Sequence, residues 1–350
     1  MTRWIIRADA SLHIGAGHVM RCLTLAQQIR SEGQNDVAFI CRDEPGHLGG
    51  LILEQGFPVT LLSAVAPFSW EADAQQVLKS LDTETTDWLV VDHYGIDSRW
   101  ETLLRHKAEH IVVIDDLANR THDCDAIIDQ NYRRDFAHRY DHLVPVGCIK
   151  LLGPHYLLMR AEFASLRKTL KREFFRVTRI LVNFGGTDEP NISLRALQAI
   201  QSLKVNELLV DVVIGKSNPH RATLQQEIDG MSGVTLHVQT DRMAELICAA
   251  DLAIGASGST TWERCCLGLP TLALVLADNQ REAAAELGEA KIIVNLGESC
   301  VTTQQLAAEV DRLMKDHDLR ARLSERSMKL IPAGQACLPQ ILTRTVEQHA

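Results

Sequence analysis

No stretch of this 350-residue chain approaches the ~20 consecutive apolar residues that would span a bilayer. The N-terminus also lacks a signal-peptide pattern, because Arg7 and Asp9 interrupt its apolar run. A cytoplasmic protein without a membrane partner is expected. No Lys/Arg cluster stands out and the net charge is −9, which argues against nucleic acid as a partner. The nine cysteines are an odd number and contain no C-x-x-C pair; Cys22, Cys41, Cys248 and Cys265 fall in apolar patterns. Buried reduced thiols are expected rather than disulfides. His13 and His18 share one loop without a carboxylate at ligand spacing, and the pairs His93/His106 and His138/His142 add none, so no metal is expected. What the chain does have is 46% hydrophobic and 23% charged residues, the composition of a globular protein long enough for two domains.

The most informative stretch is Arg7 to Ala26. A short apolar run, Trp4 to Ile6, reads as a first strand, and Val19, Cys22, Leu23, Ala26 and Ile29 then recur at helical spacing up to about Gly33. Gly15-Ala16-Gly17 is therefore a strand-to-helix turn, with His18 in the first helical turn. Unpaired N–H groups at such a helix start suit a diphosphate or a developing anion, and Gly15 and Gly17 allow close approach to the backbone. One reading makes this a tight turn with a surface histidine; the other makes His18 a catalytic base. Histidine is a poor cap, and a cation there opposes the helix dipole by roughly 0.3–1 kcal/mol. Both points weigh against the surface reading, and the dipole also favours the neutral imidazole that a general base requires.

In the N-terminal half, strands are expected at 3–9, 37–42, 59–62, 88–94, 111–116, 126–131 and 148–152, and helices at 17–31, 47–55, 70–81 and 97–107. Near-continuous apolar strands such as Trp88-Leu89-Val90-Val91 fit a parallel sheet covered on both faces. Ligands bind such sheets at the strands' C-terminal ends. There the chain carries Asp9 and Ser11, then Asp92-His93-Tyr94-Gly95, then Asp115-Asp116. Each aspartate reads alone as a cap or turn; three together read as a cleft. Residues 160–177 look like a charged helical connector, and Arg160 at its head is counted as a binding candidate.

A second alternating unit begins with strand 179–184 and the turn Gly185-Gly186-Thr187-Asp188 before helix 192–203. Strands follow at 208–215, 234–239, 251–256, 270–276 and 292–296, and 302–348 reads as helices. The expected domains are 1–165, with the His18 loop, and 175–330, with 331–350 packing back on the first. In Ser257-Gly258-Ser259-Thr260, hydroxyls and N–H groups can hold phosphate oxygens. Glu263 lies one turn on, four residues after Ser259, and reads either as a ribose-binding carboxylate or as part of a capping box with Ser259 or Thr260 as N-cap. Asp278-Asn279-Gln280 is a polar turn that reads as a binding site or an ordinary helix cap.

Together these blocks, from Arg7-Ala8-Asp9 through Gly15-Ala16-Gly17-His18-Val19-Met20-Arg21-Cys22, Asp92-His93-Tyr94-Gly95, Asn183 to Asp188, Ser257 to Glu263 and Asp278-Asn279-Gln280, resemble the UDP-sugar hydrolases of pseudaminic acid biosynthesis. Those in turn resemble MurG-type nucleotide-sugar glycosyltransferases. The resemblance implies an α/β, GT-B-like fold of two doubly wound Rossmann-like domains facing across a cleft. It implies hydrolysis of UDP-2,4-diacetamido-2,4,6-trideoxy-β-L-altropyranose, without cofactor, by water attack at the anomeric carbon with inversion. His18 falls on the family's general base, Glu263 with Ser259 and Thr260 on its UDP-binding positions, and Asn279 on a polar substrate contact. Asp9, Arg21, Asp92, Tyr94, Gly185, Gly186, Thr187, Ser257 and Gln280 complete the expected site, with Asp9 or the Tyr94 hydroxyl orienting His18. A glycosyltransferase with a UDP-sugar donor, a hydrolysing UDP-N-acetylhexosamine 2-epimerase and a catalytically silent sensor are the alternatives.

Overall fold

The computed structural model describes residues 1–350 except 65–66, 83, 332–336 and 350, and at 345–349 the backbone alone. The chain forms two compact units, Met1–Leu158 with the segment from 335 onward, and Met159–Gly334.

The first unit is built on seven parallel strands, β1 (Thr2–Ala8), β2 (Asn35–Arg42), β3 (Val59–Leu62), β4 (Thr86–Asp92), β5 (Ala108–Ile114), β6 (Ala126–Asp129) and β7 (Ile149–Leu152), in the order β3-β2-β1-β4-β5-β6-β7. Alternate side chains enter two cores. Trp4, Ile6 and Ala8 pack with Val90 and Ile114 under the helix Gly17–Ser31. Ile5, Leu89, Val91, Ile111 and Val113 pack on the other face against Trp100 and Leu104. Burial on both faces is why these strands read as unbroken apolar runs. Leu25 and Ile29 of the helix are fully buried, each contributing about 1.5–3 kcal/mol.

The helices Gly17–Ser31 and Trp70–Leu81 have the expected ends. Ser69 caps the second by accepting from the Ala72 N–H at 3.3 Å. The expected helix 97–107 is shorter: Ser98–Leu104 tightens into a 3₁₀ turn over Arg105–Lys107, where Arg105 is drawn to Asp123 and Asp125. The last helix, Leu338–His349, belongs to the first unit, with Leu338 and Leu342 fully buried in the core under Gly17–Ser31. Of the expected segment 331–350, residues 332–336 and 350 lie outside the described residues.

The second unit repeats the logic with β8 (Arg179–Asn183), β9 (Leu209–Ile214), β10 (Val234–Val238), β11 (Leu252–Ala256), β12 (Thr271–Val275) and β13 (Val294–Glu298), in the order β10-β9-β8-β11-β12-β13. The connector is helical only over Ala161–Thr169. Beyond it Arg172 donates to the carbonyls of Leu267, Ala250 and Ile247, at 2.5, 2.7 and 2.7 Å, which ties the chain to the second unit instead of prolonging the helix. Both sheets reverse strand order once, between β1 and β4 and between β8 and β11. In doubly wound sheets that reversal opens the ligand crevice at the strands' C-terminal ends. All nine cysteines are free, and no helix among the described residues is long and apolar enough to cross a membrane.

Candidate functional site

At the first reversal point, the loop after β1 folds on itself. The Ser11 carbonyl accepts the Gly15 N–H at 2.8 Å, and the Ser11 hydroxyl accepts the His13 and Ile14 N–H groups at 3.2 and 3.1 Å. Gly15 takes φ +80°, a conformation that favours glycine. The helix then begins without a side-chain cap, so its first-turn N–H groups have no side-chain acceptor.

His18 is buried, and its Nδ1 lies 2.6 Å from Asp92 Oδ1 at the end of β4. Asp92 is fully buried and also accepts from Arg21, Nε to Oδ2 at 2.6 Å and Nη2 to Oδ1 at 2.6 Å. Burial by itself would raise the Asp92 carboxyl; the Arg21 guanidinium and His18 outweigh it and hold the group well below the usual carboxylate range. Because Asp92 Oδ1 can only accept, His18 donates from Nδ1, and Nε2 is left as the ring's acceptor. Tyr94 meets the ring edge-on, with centroids 4.5 Å apart. His18 thus lines a cavity of about 300 Å³ shared with Ile14, Arg42, Glu44, Phe68, His93 and Tyr94.

The carboxylate that holds His18 is Asp92 and not Asp9, contrary to expectation. Asp9 is 1% exposed. It pairs with the fully buried Arg7 at 2.5 and 2.8 Å, accepts the Arg42 N–H at 2.7 Å, and stands 3.3 Å from His93 Nε2. Arg7 is shared with Asp73, which also accepts from Trp100 Nε1 at 3.0 Å. His93 Nδ1 accepts the Gly95 N–H at 3.0 Å, so its Nε2–H points to Asp9, and burial lowers its pKa. A neutral imidazole therefore forms part of the cavity wall, beside Phe68 at 4.5 Å. Gly95 permits this: a Cβ there would lie 2.7 Å from Phe68 and 2.9 Å from His93.

The strand-end aspartates are not free acids lining that cavity. Asp9, Asp92 and Asp115 are all buried and turned into ion pairs, because an unpaired carboxylate at a closed strand end would carry a large desolvation cost. Asp115 pairs with Arg120 at 2.8 Å and accepts from the Tyr140 hydroxyl at 3.0 Å. Asp116 is partly exposed and accepts from Arg21 Nη1 at 3.1 Å. Nearby Asp129, bonded to Arg139 at 2.7 Å, is pushed up to about 6 by burial. Arg21, expected to bind substrate, is thus occupied by Asp92 and Asp116.

In the second unit, Gly255 of β11 pairs in register with Asn183 of β8, which brings the loops after these strands side by side. Gly185 has φ +85°, and Gly185 and Gly186 are exposed. The Gly186 carbonyl accepts the Gly215 N–H at 3.0 Å, and a Cβ at 215 would lie 2.6 Å from that carbonyl. Asp188 turns back to cap the helix Ile192–Ser202, accepting from Ile192 and Ser193 at 2.9 and 2.8 Å.

The capping-box reading of Ser259 is not what forms. Ser259 precedes the helix Thr260–Cys266 with helical dihedrals and makes no side-chain cap, so its exposed hydroxyl is not spent on the helix. Ser257 Oγ is buried without a hydrogen-bond partner. Glu263 instead accepts from Arg160 at 3.0 Å; burial raises its carboxyl and Arg160 opposes that. The ordinary-cap reading of Asp278-Asn279-Gln280 fails as well: Ala277 is the N-cap, and Gln280 Oε1 accepts the Leu276 N–H at 3.0 Å. The Gln280 amide sits beside Gly258, 3.4 Å from where a Cβ would be. So Ser257–Thr260 and Gln280 come together, with Arg160–Glu263 one turn along. Behind them the fully buried Arg264 donates to the Ala256 carbonyl at 2.6 Å and the Thr261 hydroxyl at 3.0 Å, and burial pushes it down to about 10.

Arg42, Glu44 and Phe68 were not anticipated: Arg42 ends β2, where it reads as one more strand residue, and Glu44 and Phe68 lie between elements, where no periodicity marks them. Arg264 was missed because its helical position reads as one more charged residue. A second cavity, about 240 Å³, lies against Arg172, Cys248 and Asp251 at the N-terminal end of β11 and contains none of the candidate residues.

Residues 180–333 match the glycosyltransferase family 28 C-terminal domain. The chain is 28% identical over 81% of its length to a UDP-2,4-diacetamido-2,4,6-trideoxy-β-L-altropyranose hydrolase of Campylobacter jejuni, covering 96% of that protein. It is 26% identical over 79% of its length to an uncharacterised protein of Methanocaldococcus jannaschii, of which it spans 56%. Among solved structures, Acinetobacter baumannii MurG superposes with a TM-score of 0.63 over 99% of this chain and 100% of that one, at 16% identity. The fold is that of the GT-B glycosyltransferases, two parallel-sheet α/β domains.

Proposed function

We propose that this chain is a cytoplasmic UDP-sugar hydrolase that cleaves UDP-2,4-diacetamido-2,4,6-trideoxy-β-L-altropyranose to UDP and the free 2,4-diacetamido-2,4,6-trideoxy-L-altrose, with inversion and without cofactor or metal. One observation carries the reading: His18, locked by Asp92 with Nε2 as its acceptor, lines a cavity at the sheet reversal of the first unit. The similarity to the Campylobacter hydrolase over nearly all of that protein supports the substrate.

A nucleotide sugar already carries a good leaving group. The protein therefore has to hold the diphosphate and aim a water. In this reading His18 Nε2 takes the water's proton as oxygen bonds to C1 and the C1–O bond to UDP breaks, the electron pair leaving with the diphosphate. Gly15 and Gly17 let the sugar approach the backbone, and Tyr94 fixes the plane of the imidazole. UDP is assigned to the second unit: phosphates to Gly185–Thr187 and Ser257–Thr260, ribose to Glu263 with Arg160 holding the carboxylate, and Asn279 and Gln280 beside them. Asp9, Arg21 and Asp92 act behind the reacting atoms.

The match of residues 180–333 to a glycosyltransferase domain favours one second reading, transfer from the same donor to an acceptor other than water. Incubation with a panel of UDP-diacetamido-trideoxyhexoses and no added acceptor separates the two. Release of UDP with the altro isomer preferred supports the hydrolase; UDP release only when an acceptor is supplied supports the transferase.

A further inference from the structure

Asp92 carries one negative charge and serves two cationic partners. Arg21 Nη2 lies 2.6 Å from Asp92 Oδ1 and 3.2 Å from His18 Nδ1, so the three atoms form one cluster. Arg21 and His18 sit three residues apart on the same helix, which puts them side by side on its surface. If the ring were protonated, its cation would stand directly beside the guanidinium, with a single carboxylate between them. Arg21 is anchored at its far end by Asp116, 3.1 Å from Nη1. The other groups facing His18 are Tyr94 at the ring edge, neutral His93, the Cys22 thiol that donates to Asp92 at 3.5 Å, and the Arg42–Glu44 ion pair at 2.9 Å across the cavity. That pair is balanced in charge, so the imbalance at His18 comes from Arg21 and Asp116.

We propose that Arg21 is a positioning residue: suspended between Asp92 and Asp116, it shares the carboxylate that holds His18 Nδ1 and opposes a second positive charge on the ring beside it. Arg21 claims the carboxylate that would otherwise stabilise imidazolium, and Asp116 offsets part of the resulting positive charge. The two residues therefore act on His18 with opposite signs. The role in catalysis rests on His18 being the base, but the charge relationship itself can be read from the ring alone.

The experiment follows the His18 ring by NMR titration in the full chain, assigned by its loss in His18→Gln, for the native protein, Arg21→Met and Asp116→Asn. Removing the Arg21 cation should move the His18 midpoint up by about one pH unit or more, the usual effect of a charge at this range. Removing the Asp116 carboxylate should move it down by a smaller amount. The acid limb of kcat/KM should follow in both directions, with KM little changed. Midpoints that move the same way, or do not move, overturn the proposal, as does a rise in KM in Arg21→Met with the titration unchanged, which would make Arg21 a substrate contact. If Arg21→Met does not fold, Asp116→Asn decides alone, an upward or absent shift counting against. A protein that hydrolyses no UDP-sugar would still show these opposed midpoints, so the proposal and the assigned reaction fail separately.

Discussion

Asp92 Oδ1 stands 2.6 Å from His18 Nδ1, and that contact decides which ring nitrogen is available for chemistry. The carboxylate comes from the last residue of β4, the imidazole from the first turn of the helix after β1, and strand pairing of Ala8 with Asp92 brings the two elements together. Asp92→Asn should keep the contact but lose control of the tautomer, since an amide can donate to Nδ1 as well as accept. The loss in kcat is expected at roughly 10²–10⁴, the range of general-base catalysis, matching His18→Ala, with UDP affinity unchanged in both. The Asn variant should also unfold more easily, by about 3–5 kcal/mol, because Arg21 loses its buried counter-charge. Near-native kcat in either folded variant returns His18 to a packing role.

Glu263→Ala should weaken UDP binding by about 1.5–3 kcal/mol, the usual worth of hydrogen bonds to a charged group. UDP is held alike in ground and transition states, so KM should rise more than kcat falls. Calorimetry showing unchanged UDP affinity would leave Glu263 as the partner of Arg160 and nothing more.

Gly215→Ala tests the loop after β8 without touching a binding residue. The added Cβ would press on the Gly186 backbone, so Gly185–Thr187 must shift. A stability loss of about 1–3 kcal/mol with weaker UDP binding is expected, while the His18 titration stays where it is. Unchanged UDP affinity in the alanine variant would remove Gly185–Thr187 from the phosphate site.

Much of this was legible in the sequence, for a physical reason. A doubly wound sheet writes its strands as apolar runs, and its reversal points as glycine-rich or small-residue turns after strands; both such turns, Gly15–Gly17 and Ser257–Thr260, sit where the topology reverses. Helix 17–31 was readable because Val19, Cys22, Leu23, Ala26 and Ile29, all buried, recur at helical spacing between the Gly15–Gly17 turn and Gly33. The partnerships were not readable. Nothing in the spacing says that Asp92 rather than Asp9 takes His18, since that depends on β1 and β4 being neighbours despite 77 intervening residues (9 to 85). The acidic strand ends also misled: Arg21 reaches Asp92 from a distant element, while Arg7 and Arg120 stand only two and five residues from Asp9 and Asp115, and pairing turns all three carboxylates inward.

Asp129 makes the first unit's stability depend on pH with a definite sign. Its folded carboxyl, at about 6, lies above the ordinary value of 3.8, so between those values the folded state holds a proton that the unfolded state has released. Stability contributed by that proton is present below pH 4 and is lost as pH rises through about 6. Urea unfolding of the native protein and Asp129→Asn at pH 4, 5, 6 and 7 should show the native protein losing ground to the variant by on the order of 3 kcal/mol. A difference that stays constant across that range would contradict the assignment.

The central claim, that water guided by His18 attacks carbon rather than phosphorus and needs no metal, is tested most directly by running the reaction in ¹⁸O-water with EDTA present. Attack at phosphorus would call for a water beside the diphosphate and, most often, a divalent ion to neutralise it. The account predicts label in the C1 hydroxyl of the free sugar when quenched before mutarotational exchange, unlabelled UDP, and full activity in the chelator. Label in the UDP phosphate, or activity lost on chelation, would contradict it.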